Sequence, residues 1–257
     1  MIALNKLTTG YISKEISKDL DLTIEKGTLV GVLGSNGIGK STLLKTLAGF
    51  ENPLNGTITI DGKDIHEMSP IDRAKNLSIV LTQRSLSGDL LGKEVIQLGR
   101  QPYTNWIGSQ KAKDRELVSE TIEQMNIGAL ADRKLKTMSD GEIQKILLAR
   151  ALAQNTAIVL LDEPSAHLDL YNKALLFQQI KKIVSLKQKT ILFTSHDLNS
   201  AIQICDKILL LLADRWEFGT PDELIQRGVF QTVFPKETVG SSINSNALII
   251  VNVPSFS

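Results

Sequence analysis

The sequence predicts an α/β protein whose core sheet is rich in parallel strands, with antiparallel strands near the N-terminus and a helical stretch inserted into the core. Three observations point there. Short apolar runs of buried-strand length recur at 28–33, 157–161, 190–194 and 207–212. Segments of helical periodicity separate them, the pattern of parallel strands joined by crossover helices. Polar and acidic residues follow several of these runs directly, at the carboxyl ends where such sheets handle ligands.

In chain order, residues up to about 81 alternate short strands with turns, including 57–60 ahead of Asp61-Gly62. After the strand at 28–33, a helix over 41–48 carries Leu43, Leu44, Leu47 and Ala48 on one face, and Gly49 is placed to end it. From about 84 to 154 the pattern turns helical and polar, with helices near 93–98, 111–125 and 142–153. Strand and helix then alternate through 157–161, 172–186, 190–194, 197–205 and 207–212, which implies helices on both faces of the sheet. The expected organisation is one domain over 1–257, a helical subdomain at 84–154 inserted in the core, and a tail at 219–257. The tail carries a short helix from Pro221 and a late apolar run at 247–253.

Bulk properties exclude several classes. A chain of 257 residues buries a substantial core. A net charge of +1 argues against a dedicated nucleic-acid binder, so no nucleic-acid partner is expected. The single cysteine, Cys205, falls in an apolar-rich helix and reads as packing in a reduced compartment. No basic segment followed by an apolar stretch opens the chain, so no secretory leader is expected. The longest apolar run, 208–213, is far below the ~20 residues that span a bilayer, so membrane attachment would need another chain. His66 and His167 lack partners at metal-ligand spacing, which argues against zinc.

The chemistry-bearing motifs come in a fixed order. Gly34-Ser35-Asn36-Gly37-Ile38-Gly39-Lys40-Ser41-Thr42 fits Gly-x-x-x-x-Gly-Lys-Ser/Thr between a strand and a helix. Such a loop aims backbone N–H groups and the positive end of a helix dipole at one point. Lys40 offers a point charge to the β- and γ-phosphates of ATP, and the Ser41 hydroxyl is a ligand for Mg2+. Ile158-Val159-Leu160-Leu161 ends in Asp162 and Glu163, so Asp162 is expected to face the magnesium and Glu163 the attacking water. Pro164 then stops the strand. Ser139-Asp140-Gly141-Glu142 reads as a capping box opening a helix, whose N-terminus offers N–H groups to an anion.

With these motifs quoted, the chain resembles the ATP-binding subunits of ABC transporters over nearly its whole length. The resemblance implies that Tyr11 stacks on adenine. It implies that Gln83, in Leu81-Thr82-Gln83-Arg84, contacts the metal and the attacking water and senses a membrane subunit. Ser165-Ala166-His167-Leu168-Asp169 matches the segment that links the two sites of a dimer, and His196 in Thr194-Ser195-His196-Asp197 matches the residue that steadies the transition state. Ser139 and Gly141 are assigned to the γ-phosphate across the dimer. The family's usual segment has two glycines after the serine; here Asp140 takes the first place, setting a negative charge near that anion.

A second, narrower resemblance rests on Val95-Ile96-Gln97-Leu98-Gly99-Arg100-Gln101-Pro102-Tyr103 and Ala149-Arg150-Ala151-Leu152-Ala153-Gln154. It is similar to importer ATPases for iron-siderophores, haem and cobalamin. It implies a homodimer beneath integral membrane permease subunits, served by an extracytoplasmic substrate-binding protein. The expected site is the cytoplasmic face of the membrane, reached through the permease. Two other readings stay open: a soluble ABC-type ATPase not coupled to transport, and an importer ATPase for another substrate.

Overall fold

A computed structural model describes residues 1–11, 14–82, 88–104, 111–166 and 168–230, and the backbone alone of 231–232, 239–240 and 249–250. Gln83, His167 and most of the run 247–253 lie outside the described residues. The central sheet has six strands, in the order β10 (Trp216–Gly219), β9 (Lys207–Leu211), β3 (Leu29–Leu33), β8 (Thr190–Ser195), β7 (Ile158–Leu161) and β6 (Leu77–Val80). All neighbours are parallel except β10, which returns antiparallel along β9.

Every residue of β3, β7 and β8 is buried, which is why each centres on consecutive apolar residues rather than an alternating pattern. Their side chains nonetheless divide by the two-residue period of a strand. Leu29, Leu33, Val159, Leu161, Ile191, Phe193, Ile208 and Leu210 join one core cluster. Val30, Val32, Ile158, Leu160, Leu192, Leu209 and Leu211 join the other. The first cluster takes in residues from α3 (Gly92–Leu98), α4 (Ala112–Gln124), α6 (Asp140–Ala153), α7 (Leu170–Lys187) and α8 (Leu198–Ile204). Val95 and Ile96 of α3 and Ile146 of α6 therefore share one continuous core with the sheet.

The opposite face carries a helix too, as expected, but shares its cover with strands. It is covered by α1 (Lys40–Leu47) together with a four-stranded antiparallel sheet, in the order β2 (Lys14–Ile24), β1 (Ile2–Tyr11), β4 (Asn55–Ile60), β5 (Lys63–Asp64). Leu4, Leu7, Leu20 and Ile58 from that sheet pack with Leu43 and Leu44 of α1. The N-terminal strands are thus long rather than short, ten and eleven residues in β1 and β2. A helix the sequence reading did not place, α2 (Pro70–Asn76), is capped by Ser69, whose side chain accepts from the Asp72 N–H. The short α5 (Gly128–Ala131) and α9 (Pro221–Gln226) complete the described α-helices. Among the described residues, no helix is long and apolar enough to cross a membrane.

Candidate functional site

Register brings the motifs together. In the parallel ladder Val80 stands beside Leu161, Leu161 beside Phe193, and Leu33 beside both Ser195 and Leu210. The chain leaves the carboxyl ends of β3, β7 and β8 as the glycine-rich loop, as Asp162-Glu163 and as His196, all on one edge of the sheet. This is where open α/β sheets place their ligands.

The loop needs its glycines for space as well as for backbone conformation. Gly39, at φ +108°, is the cap residue before α1; a Cβ there would meet Ile16 Cγ2 at 1.8 Å. Gly34, at φ +152°, lies so close to β9 that a Cβ would come within 2.8 Å of the Leu211 carbonyl oxygen. Lys40, 5% exposed, folds back under the loop and donates to the Gly34 oxygen (2.9 Å) and the Ser35 oxygen (3.0 Å). Burial holds its ammonium below the ordinary lysine range, while the charges of Glu163 and Asp162 pull the other way. Ser35, Asn36 and Gly37 are exposed at the loop's outer side and Ile38 is half-buried, its N–H donating to the Ser35 carbonyl at 3.3 Å. A cavity of about 200 Å³ beside it is lined by Leu33, Gly34, Ser35, Asn36, His196, Leu198 and Leu210, which places His196 against the loop.

Asp162 is the hub. It is 4% exposed, and its carboxylate accepts from three hydroxyls. Ser41 Oγ donates to Oδ1 at 2.8 Å, Thr194 Oγ1 to Oδ1 at 2.8 Å, and Thr82 Oγ1 to Oδ2 at 3.0 Å. Thr82 and Thr194 were not among the residues singled out from the sequence. A hydroxyl ending the otherwise apolar run Ile191-Leu192-Phe193 was the available signal for Thr194. Glu163, next in the chain, is half-buried, sits at φ +47°, and its N–H donates to Thr194 Oγ1 at 2.7 Å. Left-handed backbone is uncommon for a residue with a side chain and concentrates at functional sites. The donor set fits Mg2+: two hard oxygens, Ser41 Oγ and the Asp162 carboxylate, meet at the N-terminus of α1. That ion takes one or two protein ligands and completes its shell with phosphates and water.

The other sequence-derived residues sit around this centre in different ways. Tyr11 ends β1 half exposed, its hydroxyl 3.5 Å from Thr42 Oγ1 on α1. Ser139 caps α6 as the reciprocal box requires: its Oγ accepts from the Glu142 N–H (3.3 Å), and its own N–H donates to Glu142 Oε2 (2.8 Å). Its N–H bond to Glu142, with Arg133 beside the carboxylate, holds Glu142 below the usual carboxyl range. Gly141 faces Leu168 closely enough that a Cβ would lie 2.9 Å from Leu168 Cδ2. Asp169 caps α7, accepting from the Asn172 N–H and Nδ2, both at 2.8 Å. Gln83, expected at the metal and the attacking water, lies outside the described residues.

The sequence of residues 17–166 matches the family described as ABC transporter. The chain belongs to the ABC transporter family. Its fold is therefore that of the ABC-type ATPase cassette, and its enzyme class that of an ATPase. It is 35% identical over 235 residues to the achromobactin transport ATP-binding protein of Dickeya dadantii, covering 91% of this chain and 87% of that one. To the iron(3+)-hydroxamate import ATP-binding protein of Bacillus subtilis it is 32% identical over 234 residues, covering 91% and 87%. A solved chain from an inward-facing metal-chelate type ABC transporter superimposes with a TM-score of 0.80 at 27% identity, covering 91% of this chain and 88% of that one. An ATP-binding cassette solved as a dimer in a post-hydrolysis state with ADP and Pi gives 0.72 at 26% identity, covering 84% and 98%.

The stretch behind the narrower resemblance turns out to be structural within this ABC cassette. Arg100, 5% exposed, donates through Nε and Nη2 to Asp114 Oδ1 (3.0 and 2.8 Å) and through Nη1 to the carbonyls of Ala153 and Gln154 (2.8 and 3.1 Å). Its guanidinium stacks 3.9 Å over the Tyr103 ring. Gln154 Nε2 donates to the carbonyls of Ala74 and Leu77. These residues fasten the C-terminal end of α6 to its neighbours, so it is the named relatives that carry the argument about cargo.

Proposed function

We propose that this chain hydrolyses ATP at two equivalent sites of a homodimer and thereby drives an importer for an iron chelate or cobalamin. The observation that carries the reading is the convergence of Lys40, Ser41, Asp162, Glu163 and His196 on one sheet edge. The relatives that transport achromobactin and import iron(3+)-hydroxamate support the cargo class.

In this reading Lys40 and the N–H groups of 34–42 hold the phosphates, and Tyr11 packs against adenine. Ser41, Asp162 and Gln83 would hold Mg2+, which when bound would supply positive charge against the phosphate oxygens. Glu163 draws a proton from the attacking water, and His196 hydrogen-bonds the γ-phosphate as charge builds. The partner subunit's Ser139 and Gly141 close over that phosphate, and Asp169 links the two sites. Identical subunits make the contact isologous, hence the two equivalent sites. Residues 84–154 act as the lobe that presses on the permease, with 219–257 as an appended tail. An extracytoplasmic substrate-binding protein delivers the chelate, and the chain stands at the cytoplasmic face of the membrane through its permease.

Uptake measurements test this directly. Deleting the subunit is expected to abolish uptake of one radiolabelled iron-siderophore, haem or cobalamin, and Lys40→Ala is expected not to restore it. Normal uptake of all three, with loss of an amino acid or sugar instead, would leave the ATPase reading standing and overturn the cargo.

Asp140 gives a second test. It stands exposed in the first turn of α6, where an acid favours the helix dipole. In the dimer it also approaches the partner's γ-phosphate, and like charges several ångströms apart cost on the order of 1 kcal/mol at intermediate dielectric. Asp140→Gly is expected to keep ATPase activity and to leave ATP-dependent dimerisation unchanged or modestly tighter by sedimentation. Loss of activity would show that the carboxylate is needed.

A further inference from the structure

We propose that Thr194 is a positioning residue that ties the metal-facing acid to the hydrolytic acid through a single hydroxyl; the inference rests on the roles given above to Asp162 and Glu163. A threonine hydroxyl has one proton to give and two lone pairs to receive with. Here the proton goes to Asp162 Oδ1 at 2.8 Å, and a lone pair takes the Glu163 N–H at 2.7 Å. Thr194 is fully buried, so no water can substitute for either bond. One atom on β8 thus fixes the carboxylate of Asp162 and the backbone of its neighbour at once.

The bond to Glu163 matters because of the backbone it holds. At φ +47° Glu163 occupies a region that side-chain-bearing residues rarely adopt. Such a conformation persists only where surrounding contacts fix it. The N–H of Glu163 is pinned to Thr194 while Pro164 follows immediately, so the turn is constrained on both sides. The direction in which the Glu163 side chain leaves the sheet edge is set by that turn. Thr194 therefore orients the proton-accepting group without touching substrate.

The Asp162 carboxylate has a further hydroxyl to hold it, while the Glu163 backbone is held at its N–H by Thr194 and at its carbonyl by the Ala166 N–H (3.0 Å). Thr82 Oγ1 donates to Asp162 Oδ2 at 3.0 Å and approaches the Asp162 carbonyl at 3.1 Å. Ser41 also donates to Oδ1, but that hydroxyl is the one expected to turn to the metal. Removing the Thr82 hydroxyl loosens the metal-facing acid alone. Removing the Thr194 hydroxyl loosens both acids.

The comparison that tests this uses Thr194→Val, Thr194→Ser and Thr82→Val in the full-length chain, with steady-state ATP hydrolysis, equilibrium binding of a fluorescent ATP analogue and thermal unfolding read for each. Valine keeps the shape of threonine without the hydroxyl, and serine keeps the hydroxyl. Thr194→Val is expected to lower kcat about 10- to 100-fold, the scale of a misplaced reacting group. Its affinity for the analogue should stay within about twofold of wild type, a kcat effect without a binding effect. Thr194→Ser should recover most of the rate, and Thr82→Val should lose less than Thr194→Val. A Thr194→Val rate equal to wild type overturns the inference. So does a Thr194→Ser rate as low as that of Thr194→Val, or a loss of nucleotide binding that parallels the loss of rate. Wild-type protein that binds ATP and never turns it over would refute the hydrolytic reading itself, before any Thr194 variant is made.

Discussion

Glu163→Gln is expected to bind ATP like the wild type and to hydrolyse it about a hundred- to ten-thousandfold more slowly, the contribution a positioned general base makes. Glutamine has the same shape as glutamate but cannot accept the proton of an attacking water. The substitution leaves the surroundings alone. The contact Glu163 makes with Thr194 runs through its backbone N–H, and the φ of +47° is no harder for glutamine than for glutamate. Lys40 keeps its bonds to the Gly34 and Ser35 oxygens, and Ser41 keeps its bond to Asp162. ATP should therefore accumulate bound, and the purified variant should elute as a dimer when ATP is present. Phosphate release at close to the wild-type rate would remove Glu163 from the role of base.

Arg100→Ala is expected to produce the largest loss of stability, about 3–5 kcal/mol, because removing one partner of a buried pair strands the other. Asp114 would be left 4% exposed without its guanidinium, and the carbonyls of Ala153 and Gln154 would lose their donor. For a chain of this size that corresponds to a fall in Tm of roughly 10 °C. Arg100→Lys should recover only part of it, since an ammonium cannot make the forked set of bonds. The pair also sets a pH dependence. Burial alone would raise the Asp114 carboxyl, but the bonds from Arg100 and the Lys111 N–H outweigh it and hold Asp114 below the usual range. A folded-state pKa below the unfolded one stabilises fully above the unfolded value and loses that stabilisation as pH falls through the folded value. Thermal melts of wild type and Arg100→Ala should therefore converge toward acid pH. A variant that melts with the wild type at neutral pH would show that the pair is dispensable.

The two parts of the molecule were unequally legible in its sequence. The strands β3, β7, β8 and β9 announce themselves because burial on both faces centres them on consecutive apolar residues. The hairpin of β1 and β2 does not. Its pairing shifts register at three places, and Lys6 and Asp19 take positive φ, so the alternation that marks a half-buried strand is interrupted. The helix α2 carries a serine cap and a leading proline, yet it buries no residue, and without a periodic apolar face nothing in the pattern reveals it. At the site, the glycine-rich loop and the two acids are contiguous motifs and can be read off directly. Thr82, Thr194 and Asp162 are separated by up to 112 residues and meet only through the alignment of β6, β7 and β8. Arg100 illustrates the converse. Its neighbourhood in sequence carries a family signal that the achromobactin and iron(3+)-hydroxamate relatives bear out, while its task of holding a helix end is legible only from its contacts at residues 114, 153 and 154.

The strand that carries the glycine-rich loop is hemmed in by two strands from the far end of the chain. β3 pairs with β8 on one side and β9 on the other, so the loop emerging from Leu33 is braced by residues 190–195 and 207–211. During synthesis, the segment to which we assign nucleotide binding leaves the ribosome early and waits for almost the rest of the polypeptide before its flanks exist. At ~5–20 residues per second, that interval is about ten to thirty-five seconds. Until β8 and then β9 emerge, β3, all five of whose residues end up buried, has no strand paired beside it. Nascent chains stalled before β9 has emerged should therefore fail to retain nucleotide. Those stalled beyond it should retain it, which makes ligand capture a late event in the birth of this protein.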